Sequence, residues 1–253
     1  MIEKIRKEIE EIENTYSVKI LLAIESGSRA WGFASPDSDY DVRFIYARRK
    51  EEYLRLDPAE DHIEWKLDEV LDVNGWDVQK VLMQIHRGNP TLFEWIHSPI
   101  VYKKENNWVK AENALDAYFD PRKAVYHYRG LAKRTYLEYL QEEKVTYKKY
   151  LYALRSLFAC LYIEKYQAIP PVQFHALCQS VLPSELKKDV DMLLEKKKEV
   201  KEKDLQDPLP SIQNFITEEL VHQEEAVKVM TCPKERDWEE LNSIFLELIT
   251  FGV

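Results

Sequence analysis

Residues 25–49 read ESGSRAWGFASPDSDYDVRFIYARR and set a Gly27-Ser28 pair twelve residues ahead of Asp39, with Asp41 two residues further on. From Asp39 to Arg48 the chain alternates: Tyr40, Val42, Phe44 and Tyr46 fall on one side, and Asp39, Asp41, Arg43 and Ile45 on the other. That period of two predicts a strand with both carboxylates on one face. A rise of ~3.3 Å per residue sets their Cα atoms roughly 6–7 Å apart. Carboxylates so close resist burial unless a cation sits between them. The spacing suits one divalent ion, or two about 3.5–4 Å apart, and hard oxygen ligands favour Mg2+ or Mn2+. A Gly-Ser turn opening a helix offers backbone N–H groups and a hydroxyl to phosphate oxygens. Together these parts describe a site for a metal-bound triphosphate. The plainer reading is that the two aspartates are turn or cap residues. An EF-hand loop is excluded, because Val42 stands where the loop needs Gly and Arg48 where it needs an acidic ligand.

The ordered set of apolar strand, Gly-Ser-x-x-x-Gly, SPDSD loop and Asp-x-Asp strand resembles the polymerase-β-type nucleotidyltransferase superfamily. Gly27-Ser28 and Asp39-Tyr40-Asp41-Val42 match its signature position by position. The form SGSRAWGFASPDSDYDVRFIY is similar to the RNA-repair-pathway branch, and LDVNGWDVQKVL, GNPTLFEWIHSPIVY, YKKYLYALRSLFACLYI and IPPVQF agree with it. The resemblance covers roughly residues 20–180. It implies an ATP- or other nucleoside triphosphate-binding transferase in which Asp39, Asp41 and a third carboxylate hold Mg2+ or Mn2+. A nucleoside monophosphate would pass to an acceptor hydroxyl, with an RNA end as one candidate, and pyrophosphate would leave. Two positions compete for the third acid. Asp72 lies in an extended segment that an antiparallel neighbour would bring against Asp39 and Asp41, whereas Asp77 opens a helix and serves most simply as its N-cap; Asp72 is favoured.

Within the same resemblance Ser28 would contact the β- or γ-phosphate with help from Arg29. Lys148, Tyr152 and Arg155 fall four and three residues apart on a helical segment and share a face. Lys148 and Arg155 would reach triphosphate oxygens and Tyr152 would stack on a base. The structural alternative has Tyr152 in the core, Lys148 solvated and Arg155 paired with an acid such as Glu164. Trp31, Trp76 and Trp95 are expected to pack between the sheet and its helices.

The elements that must position these residues follow from periodicity. Ile2, Ile5, Ile9 and Ile12 mark an amphipathic helix, and VKILLAIES a buried strand. HIEWKLDEVLDVNG is extended with one break and ends at Gly75, and DVQKVLMQIHRG and NPTLFEWIHS are helices opened by Asp77 and by Asn89-Pro90. Beyond about residue 121 strand-like alternation stops and helical periods take over. The expected fold class is therefore α+β: a polymerase-β-like nucleotidyltransferase domain over 1–120, with a small mixed sheet and helices, then an all-helical domain over 121–253 closing the nucleotide and acceptor cleft. The charge run LLEKKKEVKEKD reads as a solvated helix face.

Composition narrows the classes. A net charge of −9 argues against non-specific coating of nucleic acid, which needs clustered Lys and Arg, although a local basic cleft remains compatible with it. No apolar run approaches the ~20 residues that span a membrane, and the charged N-terminus does not read as a signal sequence. Cys160, Cys178 and Cys232 are odd in number and widely spaced, so they read as small core residues of a cytoplasmic protein. Two rival functions stand beside the transferase. A non-catalytic nucleotide-binding or toxin-neutralising module would be expected to lose one of the acids, and a sugar-nucleotide glycosyltransferase would lack the Gly-Ser turn before its Asp-x-Asp.

Overall fold

The structure, a computed structural model, describes residues 1–57, 59–68, 70–199, 204–231 and 236–250. The chain forms two compact units: Met1–Ala30, Asp39–Phe119 and Lys234–Val253 make the first, and Trp31–Ser38 with Asp120–Pro233 the second.

In the first unit, helix α1 (Ile2–Tyr16) leads to β1 (Lys19–Glu25), the short helix α2 starts at Gly27, and β2 (Tyr40–Ala47) follows. A single 3-10 turn at Lys50–Leu54 precedes β3 (His62–Leu67) and β4 (Leu71–Asp77). Then come α3 (Val78–His86), α4 (Pro90–Ile96), β5 (Val101–Lys104) and α5 (Asn106–Asp116). The sheet order is β3-β4-β2-β1-β5. β1 runs antiparallel to both its neighbours, β3 is antiparallel to β4, and β2 and β4 are parallel. β1 is therefore paired along both edges and covered on both faces, which explains an apolar run in place of alternation. One face packs Ile5, Ile9 and Ile12 of α1 against Val42, Phe44, Tyr46 and Val73. On the unit's other contacts, α3 packs on β2 and β4, and α5 on β1.

The helical unit holds α6 (Pro121–Tyr139), α7 (Tyr147–Tyr166), α8 (Phe174–Val181), α9 (Lys187–Glu199) and α10 (Pro210–Val229). Its core gathers Leu151, Leu154, Phe158, Phe174, Ile212 and Ile216, with Phe33 from the segment after α2. Trp31, the last residue of α2, packs on the same core.

Several expectations change. β4 arrives beside β2 in the parallel sense, because β3 takes the sheet edge and its hairpin returns β4 alongside β2. Gly75 is no break. The strand runs through it, opposite Phe44, and a Cβ there would collide with the Phe44 ring. β5 and α5 were not anticipated; β5 is four residues long, too short for alternation to register. The last helix, α11 (Glu239–Leu248), packs against α3 and α5 of the first unit and not in the helical one. The charge run is not uniformly solvated either, since Lys197 is buried and donates to Ser35 Oγ at 2.7 Å. Cys160 is buried and Cys178 half-buried, while Cys232 lies outside the described residues. Among the described residues no helix is long and apolar enough to cross a membrane.

Candidate active site

The acidic residues gather at the start of β2. Gly27 opens α2 with a φ of +61°, a left-handed conformation that a side chain would strain. The open space above its Cα is used: a Cβ would run into the Asp41 carboxylate. Only glycine lets the turn clasp that side chain. Ser26 N–H donates to the Asp41 carbonyl at 2.8 Å, which ties the turn to β2. Ser28 follows in α2, buried, and its hydroxyl has no hydrogen-bond partner. A buried hydroxyl left without a partner is costly, and a phosphate oxygen would satisfy it.

Asp72 stands opposite Asp41 across the parallel ladder. Both carboxylates are 24% exposed, and both reach one cationic nitrogen: Arg43 Nη2 lies 2.7 Å from Asp72 Oδ2 and 3.4 Å from Asp41 Oδ1. Arg43 Nη1 also donates to the carbonyls of Val42 and Asp72. The strand pattern put Arg43 on the acidic face, and the structure makes it the cation that this face requires. Asp39 sits just before β2, and its carbonyl accepts from Arg29 Nε at 2.9 Å. The Arg29 guanidinium lies 3.7 Å from the centre of the Tyr40 ring. These carboxylates suit Mg2+ or Mn2+: half-buried hard oxygens from paired strands that already converge on a single positive charge.

Asp77 has a different setting. It is buried and caps α3 by accepting from Gln79 N–H at 2.8 Å. Tyr53 donates its hydroxyl to the same carboxylate, and Arg48 Nε lies 3.8 Å from it. Burial pushes its carboxyl up to about 6, against the bonds from Gln79 and Tyr53 and the charge of Arg48. In the β2–β4 register Asp77 faces Tyr46, five residues along from the Asp41–Asp72 pair.

Sequence reasoning missed Glu25. It ends β1 fully buried, accepts from Asp41 N–H at 2.9 Å and is bonded by the Tyr102 hydroxyl. Burial raises its carboxyl above the ordinary range, partly offset by those two hydrogen bonds. Glu25 thus holds the backbone of Asp41 from behind. The signal was visible as one acid closing an otherwise apolar strand directly before the Gly-Ser turn. Ser98 donates its hydroxyl to the Glu25 carbonyl at 2.6 Å.

In the helical unit Lys148, Tyr152 and Arg155 do share a face of α7. Lys148 Nζ lies 5.6 Å from the centre of the Tyr152 ring, and both Tyr152 and Arg155 pack on Trp31. Arg155 is 4% exposed and donates to the Val172 carbonyl at 3.2 Å. The suggested Arg155–Glu164 pair does not form, because Glu164 is engaged by His222 and Gln223. Trp76 and Trp95 pack on each other, as a packing role predicts.

A solved structure of a nucleotidyltransferase-like protein from Exiguobacterium sibiricum 255-15 is similar over 96% of this chain and 88% of that one, at 14% identity and a TM-score of 0.32. The uncharacterized protein YcgL of Bacillus subtilis (strain 168) is 41% identical over 251 residues, which is 98% of this chain and 96% of that protein. The family model for RlaP matches residues 1–247, and with it the chain belongs to the RNA repair pathway DNA polymerase beta family.

Proposed function

We propose that this protein transfers a nucleoside monophosphate from a nucleoside triphosphate to an acceptor hydroxyl, with an RNA end as the acceptor that the family description favours. The observation that carries the reading is the pairing of Asp41, clasped against Gly27, with Asp72 across the ladder, both in contact with one cation. Asp39, Asp41 and Asp72 would hold Mg2+ or Mn2+, which supplies charge neutralisation of the triphosphate and activation of the acceptor oxygen. Ser28 donates its hydroxyl to a terminal phosphate oxygen. Arg29, anchored on Asp39 and Tyr40, keeps a positive charge beside the acidic pair. Arg43 neutralises Asp41 and Asp72 in the ion-free protein and yields its place on loading. Glu25 fixes the Asp41 backbone and takes no part in bond making. Within the helical unit, Lys148 on α7 holds a cation beside the Tyr152 ring. Arg155 acts through Trp31, on which it lies.

In the reaction the acceptor oxygen bonds to the α-phosphorus, the bond from that phosphorus to the bridging oxygen breaks, and pyrophosphate departs with that oxygen. The hydroxyl proton passes to solvent. The test incubates the protein with each α-labelled triphosphate, Mg2+ or Mn2+ and mixed RNA, beside Asp41→Asn and Asp72→Asn. Label on RNA with the parent protein alone supports the reading. Equal labelling by either variant sinks the metal assignment. Metal-dependent triphosphate binding without transfer to any acceptor overturns the transferase reading in favour of a nucleotide-binding module.

A further inference from the structure

The helical unit contains a second ligand-like cluster, which the transfer chemistry does not use. Glu219 and His222 are three residues apart on α10 and leave one face of the helix. Glu164, on α7, meets them: His222 Nε2 lies 3.0 and 2.9 Å from its two carboxylate oxygens. One ligand atom from each of Glu164, Glu219 and His222 falls within 4.8 Å of the others. Neither carboxylate has a Lys or Arg partner among the described residues. Among the described residues that bond these two half-buried carboxylates, the one that can carry a positive charge is the exposed His222 imidazole.

Gln223 supplies an independent sign. It is fully buried and turned into the cluster, with Nε2 donating at 2.8 Å to both Glu164 Oε2 and Glu219 Oε1. Its own Oε1 has no hydrogen-bond partner. The amide does what outer groups around metal ligands do: it orients two carboxylates at once. Its orphaned oxygen is an acceptor in want of a donor, and a water on a bound ion would supply one.

We infer that Glu164, Glu219 and His222 bind one divalent transition-metal cation, of which Zn2+ is the best fit, and so clip α7 to α10. An imidazole beside two carboxylates selects zinc-like ions over Mg2+, which prefers oxygen and water. This separates the cluster from the all-oxygen acidic site on the sheet. Three protein ligands leave a coordination position for water. Binding exchanges the proton shared by His222 and Glu164 for the ion, because imidazole must be neutral at the nitrogen that ligates.

The experiment uses the full chain carrying Asp39→Asn and Asp41→Asn, so that the acidic site on the sheet does not contribute. Metal-stripped protein is titrated with Zn2+ against a chromophoric chelator in millimolar Mg2+. One Zn2+ per chain is expected. Gln223→Leu should weaken it by about 10- to 100-fold, the range for outer groups, and His222→Ala by more than about 100-fold. Far-UV circular dichroism checks that each variant is folded. In parallel, 15N-imidazole spectra of the wild-type chain follow His222 directly, with a large Nε2 shift expected at one equivalent of Zn2+. Unchanged affinity in folded His222→Ala overturns the inference. So does an unmoved His222 Nε2 signal, which decides the matter even if the variants fail to fold.

Discussion

Asp77 offers a quantitative probe of the reasoning, because one substitution separates its structural role from a catalytic one. The residue is 4% exposed, and burial lifts its folded pKa from 3.8 to about 6. A raised folded value means that the native state holds the proton more tightly than the unfolded chain. The stability this contributes is fully present below pH 3.8 and is lost as pH rises through about 6. The shift is close to two units, and at 1.36 kcal/mol per unit the loss is about 3 kcal/mol. Asp77→Asn removes the titration while keeping an oxygen for Gln79 N–H and Tyr53, since Asn caps helices as well as Asp does. The variant should match wild type near pH 4 and exceed it by about 3 kcal/mol at pH 8. Urea unfolding at half-unit pH steps, read as the difference between the two proteins, isolates Asp77 from every other titrating group. A difference that does not change with pH would refute the buried, proton-holding cap. The same variant should retain nucleotidyl transfer, and its loss would make Asp77 the third acid in place of Asp72.

Two further outcomes follow from the geometry. Arg43→Met leaves Asp41 and Asp72 facing each other without their shared cation, and should destabilise the ion-free protein by about 1.5–3 kcal/mol, the range for hydrogen bonds to charged groups. Millimolar Mg2+ or Mn2+ should restore most of that loss in a thermal melt, and no restoration would count against a divalent ion at this pair. Gly75→Ala drives a Cβ into the Phe44 ring and should lower stability by about 1–3 kcal/mol. A Phe44→Leu partner change should recover part of it, and additive losses in the double variant would show that the two residues do not clash.

The local chemistry of this chain is written in short stretches. Period-two alternation placed β2 and put Asp41 and Arg43 on one face, because successive strand residues leave opposite sides whatever the rest of the fold does. The caps at Asp77 and Asn89 were legible for the same reason: a side-chain oxygen that satisfies a helix's first N–H groups acts within three residues. The Gly-Ser turn was recognisable from its residues, but the close approach it permits was not. That Gly27 makes room for the Asp41 carboxylate depends on two segments fourteen residues apart meeting.

What the tertiary structure alone decided is partnership over distance. The parallel pairing that sets Asp72 beside Asp41 comes from β3 occupying the sheet edge, an outcome of the whole sheet that no window of residues carries. Glu25 looked like the end of a strand until Tyr102, 77 residues later, closed over it. The Glu164, Glu219 and His222 cluster joins two helices whose residues lie more than fifty positions apart. Lys197 sits in a run of charges and is buried all the same, because Ser35 comes to meet it. In each case residue type sets which chemistry is available, and the long-range closure of the chain sets which groups share it. That closure is driven by burial of apolar surface, which is non-directional and leaves little trace in local spacing.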